Sequence, residues 1–147
     1  MYKKILCTLD GSKLAEQALP HAVALAKAFD ADLILLRVVE PPPLPILPEF
    51  AGAELELLPE LHKTAKAYID RWVQELQEEG CRVSGVVEEG KPADVIADFA
   101  QEKEIDLIVM ATHGRSGITR WAFGSVADRV LRSAGRPVLL IRARNDS

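Results

Sequence analysis

The chain has 147 residues, a formal net charge of −4 at pH 7 and 48% hydrophobic residues. These values are typical of one globular domain with a buried core, and we expect residues 1–147 to form a single domain. The acidic balance argues against a nucleic-acid-binding protein, which usually carries a basic face. The chain also lacks a signal peptide pattern and an apolar run of roughly 18 residues. We therefore expect a cytoplasmic protein with no membrane or nucleic-acid partner.

The first half of the chain alternates strand and helix patterns. Residues 4–9 predict a strand, and residues 12–29 predict a helix because apolar side chains recur every three or four positions. Pro20 within that helix predicts a kink or a broken turn. Residues 32–39 are almost all apolar, which predicts a second strand buried on both faces. The expected apolar face of the first helix is Ala15, Ala18, Leu19, Ala22, Leu25, Ala26 and Phe29.

Five prolines between residues 41 and 48 predict an extended loop after the second strand. A second helix follows, beginning at Ala53 or Pro59 and ending at Glu79 before Gly80. Its predicted inward-facing residues are Leu61, Ala65, Tyr68, Ile69, Trp72, Val73 and Leu76.

The remaining elements repeat the same alternation. Strands are predicted at residues 82–88, 105–112 and 138–142, with helices beginning at Pro92 and spanning residues 125–134. The pattern βαβαβαβαβ predicts an α/β fold, a Rossmann-like open parallel five-stranded sheet with helices on both faces. We expect strand order 3-2-1-4-5, which places residues 9–12 and 111–114 together at the switch point where such sheets bind ligands.

The stretch from residue 107 to residue 126 has the features of an anion site. An apolar strand pattern leads into a polar segment with Gly114 and Gly117, and Gly124-Ser125 then open an amphipathic helix. Backbone N–H groups and the positive end of a helix dipole at such a junction can hold a phosphate. The spacing matches neither a P-loop nor a dinucleotide fingerprint.

Several polar residues near this junction have two interpretations each. Asp10 can accept hydrogen bonds from ribose hydroxyls, or it can cap the first helix, as can Ser12. Ser125 can bond a phosphate or cap its own helix. Arg115 and Arg120 can neutralise phosphate charge or be ordinary exposed loop arginines.

The sequence shows no constellation for covalent catalysis or metal binding. His113 has no second histidine or cysteine placed as a partner, so we interpret it as a loop residue. Cys7 and Cys81 form no C-x-x-C pair and are expected to be reduced and buried. We interpret three acidic side chains as a first-turn, a solvent-face and a loop-end charge, namely Asp94, Asp98 and Asp106.

Ala111-Thr112-His113-Gly114, followed after nine residues by Gly124-Ser125, resembles the nucleotide-binding motif G-x2-G-x9-G-[ST] of the universal stress protein family. Ala111 replaces the first glycine, and its methyl group disfavours positive φ and narrows the approach of a phosphate. The resemblance covers the whole chain. It includes residues 5–12, the Gly90, Pro92 and Ile96 pattern, the strand at 106–110 and residues 136–142.

This resemblance implies an ATP-binding member of the family, with Mg²⁺ or Mn²⁺ carried by the phosphates. It implies that Asp10 contacts the nucleoside and that Thr8 and Leu9 lie against the base. It also implies that Val38 and Arg37, at the end of the second strand, fall where the family has a backbone and apolar contact for adenine. The expected nucleotide-binding residues are Thr8, Leu9, Asp10, Val38, Ala111, Thr112, His113, Gly114, Arg115, Gly124, Ser125 and Val126.

The leading hypothesis is a nucleotide-dependent regulatory or sensor protein that acts in the stress response as a homodimer. The sequence does not identify its downstream protein partner. The dimer would form through the C-terminal strand, whose apolar edge needs a cover. One alternative is a slow ATPase or nucleotidyl-transfer enzyme in which His113 or Asp10 positions water. Another is an interaction module whose pocket is closed by Ala111 and Trp121-Ala122-Phe123.

Overall fold

We analysed a computed structural model of the chain, which describes residues 1–42, 51–115, 117–118 and 123–145, with backbone alone at 51–56. Most of the predicted proline-rich loop lies outside the described residues. Arg120, Trp121 and Ala122, which were expected to contact phosphate or to close the pocket, also lie outside the described residues.

Within the described residues, five strands form one parallel sheet. The strand order is β3-β2-β1-β4-β5, as the sequence predicts. The register runs from Lys4 opposite Asp32 to Leu9 opposite Arg37, so the carboxyl ends of β1 and β2 lie side by side. The bounds are β1 Lys4–Leu9, β2 Asp32–Val39, β3 Val83–Glu89, β4 Leu107–Ala111 and β5 Val138–Ile141.

The described helices are α1 Lys13–Glu16, α2 Leu19–Phe29, α3 Ala51–Glu78, α4 Pro92–Glu102 and α5 Ser125–Ser133. The predicted first helix is therefore two helices, and the broken turn lies just before Pro20. Pro20 occupies the first turn of α2, where a missing N–H removes no helical hydrogen bond. The second predicted helix begins earlier than expected and continues through Pro59.

Apolar side chains cover both faces of the sheet, which confirms the predicted α/β class. Ile5, Cys7, Leu33 and Leu35 pack on the face covered by α2 and α3. The alternate residues, such as Leu6 and Leu36, pack on the face covered by α4 and α5 with Ile96, Ile108 and Val130. The sequences of the central strands are nearly continuous apolar runs because both faces of these strands are buried.

The prediction that Phe29 and Leu61 are buried in the core is wrong. Phe29 is 43% exposed because it ends α2, and its ring instead packs edge-on against Tyr2 with the centroids 5.0 Å apart. Leu61 is 38% exposed because it lines an open cavity.

Cys7 and Cys81 are free and buried, as predicted. Burial raises the pKa of Cys7 to about 12 and also raises the pKa of Cys81. No helix in the described part of the chain is both long and apolar enough to cross a bilayer.

The carboxylate of Asp106 holds the amino ends of β1 and β4 together. Its Oδ2 accepts hydrogen bonds from the backbone N–H groups of Lys3 at 2.8 Å and Lys4 at 2.9 Å. The Asp106 N–H in turn donates to the Lys4 carbonyl at 2.9 Å. The N–H groups of Lys4 and Lys3 lower the pKa of Asp106 below its usual value, since they favour the charged form.

We expect Asp106→Ala to lower the free energy of unfolding by about 1 kcal/mol at pH 7, the worth of charged hydrogen bonds reduced for solvent exposure. A carboxylate with a lowered pKa in the folded state stabilises the fold above its unfolded pKa, about pH 4. That contribution is lost as the pH falls through the folded pKa. Urea unfolding at several pH values measures it, with Asp98→Ala, an exposed acidic residue, as control. A wild-type advantage that persists unchanged well below pH 4 would contradict this account.

Candidate functional site

A cavity of about 330 Å³ opens at the carboxyl ends of β1, β2 and β4. This is the switch point of the sheet, where β1 is flanked by β2 on one side and β4 on the other. The structure brings all of the residues predicted from the sequence to this one cavity. They are Thr8, Leu9, Asp10, Val38, Ala111, Thr112, His113, Gly114, Arg115, Gly124, Ser125 and Val126.

The carboxylate of Asp10 connects the end of β1 to the glycine segment after β4. Oδ1 accepts hydrogen bonds from the Ser12 N–H at 2.9 Å and the Ser12 hydroxyl at 2.6 Å, while Oδ2 accepts one from the Arg115 N–H at 2.7 Å. The interpretation of Asp10 as a helix cap is wrong. Ser12 caps α1, since its Oγ accepts the Ala15 N–H at 3.2 Å. A carboxylate accepts about four hydrogen bonds, so Asp10 retains room for about one more, on Oδ2.

Gly114 is required by the protein's own packing. A Cβ atom at this position would lie 2.0 Å from Oδ2 of Asp10, far inside van der Waals contact. The missing side chain therefore lets the carboxylate reach the Arg115 N–H, which is the hydrogen bond that shapes this segment.

Thr112 fixes the glycine segment from inside. Its N–H donates to the Ile141 carbonyl at 2.9 Å, and its carbonyl accepts the Gly124 N–H at 2.8 Å. Its buried hydroxyl oxygen accepts the Ala143 N–H at 3.0 Å and lies 3.0 Å from Nδ1 of His113. The polar atoms of Thr112 are thus bonded within the protein and position the loop.

The amino end of α5 opens on the cavity without a side-chain cap. Gly124 occupies the cap position, and Ser125 is the first helical residue, so the interpretation of Ser125 as the cap of α5 is wrong. The N–H groups at the start of a helix have no partner inside the helix. Ser125, Val126 and Ala127 supply such groups and line the cavity. Together with the helix dipole they favour a negatively charged ligand group.

Ala111 ends β4 in an extended conformation. The described non-glycine residues with positive φ are Asp30 and Glu104, so alanine at the first motif position carries no backbone strain. The concern about positive φ at Ala111 therefore does not apply, and its methyl group simply forms part of the cavity wall.

Part of the wall was not predicted. Pro92 and Ile96 belong to a pattern that predicts only the start of a helix. Arg37 is expected, with Val38, at an adenine contact, and its side chain also lines the cavity. The other unpredicted lining residues carry no motif, because they read as ordinary core or loop positions. They are Ala15, Leu36, Val39, Glu40, Leu61, Met110 and Ala127.

Two arginine side chains, those of Arg37 and Arg115, line the cavity. Within the described residues, neither Arg37 nor Arg115 has a side-chain ion pair. Burial and the charge of Arg115 lower the pKa of Arg37. No group of three or more His, Cys, Asp or Glu in the described ranges is arranged to hold a metal ion.

A family model described as the universal stress protein family matches residues 1–142. Universal stress protein MJ0531 of Methanocaldococcus jannaschii is 40% identical over 97% of this chain and 83% of its own length. Universal stress protein MJ0577 of the same organism is 30% identical over 99% of this chain and 98% of its own length.

Solved structures agree with these sequence relationships. The structure of MJ0577 superimposes with a TM-score of 0.86 at 31% identity, covering 99% of both chains. UspA from Lactobacillus plantarum gives the same score and identity over 96% of this chain and 98% of its own. A universal stress protein in complex with cAMP, at 23% identity and a TM-score of 0.73 over 97% and 99% of the two chains, bears on the fold alone. The chain therefore belongs to the universal stress protein family.

Proposed function

We propose that this single domain binds ATP and acts as a nucleotide-dependent regulatory or sensor protein in the stress response. The uncapped amino end of α5 carries the proposal, because it lines the same cavity as the Asp10 carboxylate. A site for negative charge next to an acceptor for hydroxyl groups matches the two polar parts of a nucleotide.

The rest of the cavity suits an adenine nucleotide as well. Leu9, Val38, Ile96 and Met110 supply apolar wall for a base. The remaining acceptor position on Asp10 suits a ribose hydroxyl, and the glycine segment with the start of α5 suits the phosphates. A divalent cation, Mg²⁺ or Mn²⁺, would enter with those phosphates rather than through a protein cage.

Binding, rather than dedicated catalysis, is the activity that these groups support. An ATPase or nucleotidyl-transfer enzyme needs a residue that positions the attacking group or takes its proton. Asp10 already accepts three hydrogen bonds from the protein, and a ring nitrogen of His113 lies within hydrogen-bonding distance of the Thr112 hydroxyl. Both residues are therefore held as parts of the binding loop.

We expect Mg-ATP to stabilise the protein against unfolding, by about 2.7 kcal/mol at a ligand concentration one hundred times Kd. Asp10→Ala removes the proposed ribose acceptor and the bond to Arg115, so the stabilisation should be lost. Asp94→Ala should retain it, because Asp94 pairs with Arg129 on the surface and does not line the cavity. Thermal unfolding with and without Mg-ATP gives the comparison, and chromatography of denatured fresh protein shows any retained nucleotide. The absence of both a shift and a retained adenine nucleotide in the wild type would overturn the proposal in favour of the empty-pocket interaction module.

Exchanging glycine and alanine at two motif positions, Gly114 and Ala111, should affect ATP binding differently. Gly114→Ala should abolish ATP binding and reduce stability by about 1–3 kcal/mol, since the new methyl group displaces the Asp10 carboxylate. Ala111→Gly should bind ATP at least as well as the wild type, because it only removes a methyl group from the wall. Isothermal titration calorimetry on both variants measures these effects. Equal loss in both variants would show that the contact between Gly114 and Asp10 is not the controlling one.

We also propose a cytoplasmic homodimer that forms through β5. The strand ends the sheet, and all four of its residues are partly exposed along an open edge. Pairing with a second copy across a two-fold axis would cover this edge. The buried free thiols of Cys7 and Cys81 suit the reducing cytoplasm.

A charge placed on one sheet edge should dissociate the dimer, whereas a charge on the other edge should not. We expect Val138→Lys on β5 to produce monomers, and Ser84→Lys on the opposite edge strand β3 to leave the dimer intact. Sedimentation of the 16.1 kDa chain at micromolar concentration measures the assembly. A monomeric wild type, or dissociation by Ser84→Lys alone, would contradict the β5 interface.

A further inference from the structure

The side chain of Arg37 extends from β2 to the cavity and packs on the ring of Tyr68. Its guanidinium carbon lies 5.0 Å from the centroid of the Tyr68 ring, which is a cation–π distance. The Tyr68 hydroxyl donates a hydrogen bond to Oε2 of Glu16, so α1 and α3 together hold the ring in place. The guanidinium of Arg37 is therefore presented on a fixed aromatic surface.

The same guanidinium lies against the turn that carries Asp10. A Cβ atom at Gly11 would come within 2.3 Å of Nη1 of Arg37, so the charged group packs directly on the backbone of the residue after Asp10. Gly11 has a φ of +89°, and glycine adopts this conformation without strain. Arg37 thus borders the part of the cavity where Asp10 would receive a ribose.

Arg37 and Arg115 line the cavity together with Asp10, and neither guanidinium forms an ion pair within the described residues. Burial and the charge of Arg115 lower the pKa of Arg37, whereas Tyr68 and Asp10 raise it. Glu40 also lines the cavity, but it is exposed and forms no ion pair in the described part of the chain. Two arginine side chains on the lining can thus receive an anionic ligand group, while the oxygens of Asp10 already accept three hydrogen bonds.

This arrangement distinguishes the two hydroxyls of a ribose. Asp10 has room for about one more donor, so it can accept one hydroxyl of the sugar and not both. Arginine side chains offer hydrogen-bond donors and no acceptors. They therefore suit a ribose whose second hydroxyl is esterified with an anionic group. A phosphate on that second oxygen would satisfy them.

We propose that Arg37, together with Arg115, makes this site selective for adenine nucleotides that carry a phosphate on the ribose 2′ or 3′ oxygen in addition to the 5′ phosphate. The inference rests on the proposed function, because it assumes that the ribose lies against Asp10. It assigns Arg37 a role in specificity that is separate from the phosphate site at the start of α5.

Calorimetry with matched ligands tests this selectivity at constant ionic strength. The ligands are AMP, adenosine 2′,5′-bisphosphate and adenosine 3′,5′-bisphosphate, with ATP for comparison. We expect one bisphosphate to bind the wild type about tenfold more tightly than AMP, the size of one charge-assisted contact. Arg37→Ala should remove that gain, so that the preferred bisphosphate loses about tenfold more affinity than AMP does.

Two further variants separate the guanidinium charges from their surroundings. Arg115→Ala keeps the backbone N–H that binds Asp10 and should reduce the gain without abolishing AMP binding. Arg71→Ala is the control, because Arg71 lies 5.8 Å from the same Tyr68 ring but does not line the cavity. The bisphosphate preference should survive in Arg71→Ala.

Several results would overturn the inference in recognisable ways. If both bisphosphates bind no better than AMP, the second phosphate is not recognised. If Arg37→Ala weakens ATP as much as it weakens the preferred bisphosphate, Arg37 contacts the 5′ phosphate chain instead. If the wild type binds neither AMP nor ATP, the proposed function fails together with this inference, whereas binding of ATP without a bisphosphate preference leaves the proposed function standing.

Discussion

The hydrogen bond from the Arg115 N–H to Oδ2 of Asp10 is the constraint on which the cavity depends. It joins the residue after β1 to the segment after β4, two strands that are far apart in sequence and adjacent in the sheet. On the other side of the same segment, Thr112 bonds to β5, to Ala143 and to Gly124 at the start of α5. The cavity is thus defined by a carboxylate that works as a structural cross-link as well as a proposed ligand contact.

Gly114 and Gly124 of the motif are small for two different physical reasons. Gly114 makes room for the Asp10 carboxylate, whereas Gly124 lies close to the Thr112 carbonyl, with 3.1 Å left for a Cβ atom. Ala111 ends a strand in ordinary extended geometry and tolerates a side chain. The spacing of small residues therefore reflects how the protein packs on itself, in addition to how closely a phosphate could approach.

The fold and the location of the site could be predicted because they depend on strong, short-range patterns. Nearly continuous apolar strands such as residues 32–39 indicate a sheet buried on both faces, and alternation with helices then restricts the strand order. The side-chain partners could not be predicted. Whether Asp10 or Ser12 caps α1, and whether Arg37 stacks on Tyr68, depends on distances between elements that the sequence does not specify. Phe29 and Leu61 were misplaced for a related reason, since helical periodicity gives the direction of a side chain but not where its covering layer ends.

The buried thiols restrict how this domain can respond to oxidants. Thiolates react with peroxides and thiols hardly do, and burial keeps Cys7 in the thiol form because it raises the pKa of this group. Cys81 is likewise buried, with a raised pKa. The cysteines of this chain are therefore poor direct sensors of oxidation. If the domain binds a nucleotide as proposed, an oxidative challenge would reach it through a change in the concentration or kind of that ligand, while its own cysteines stay chemically unchanged.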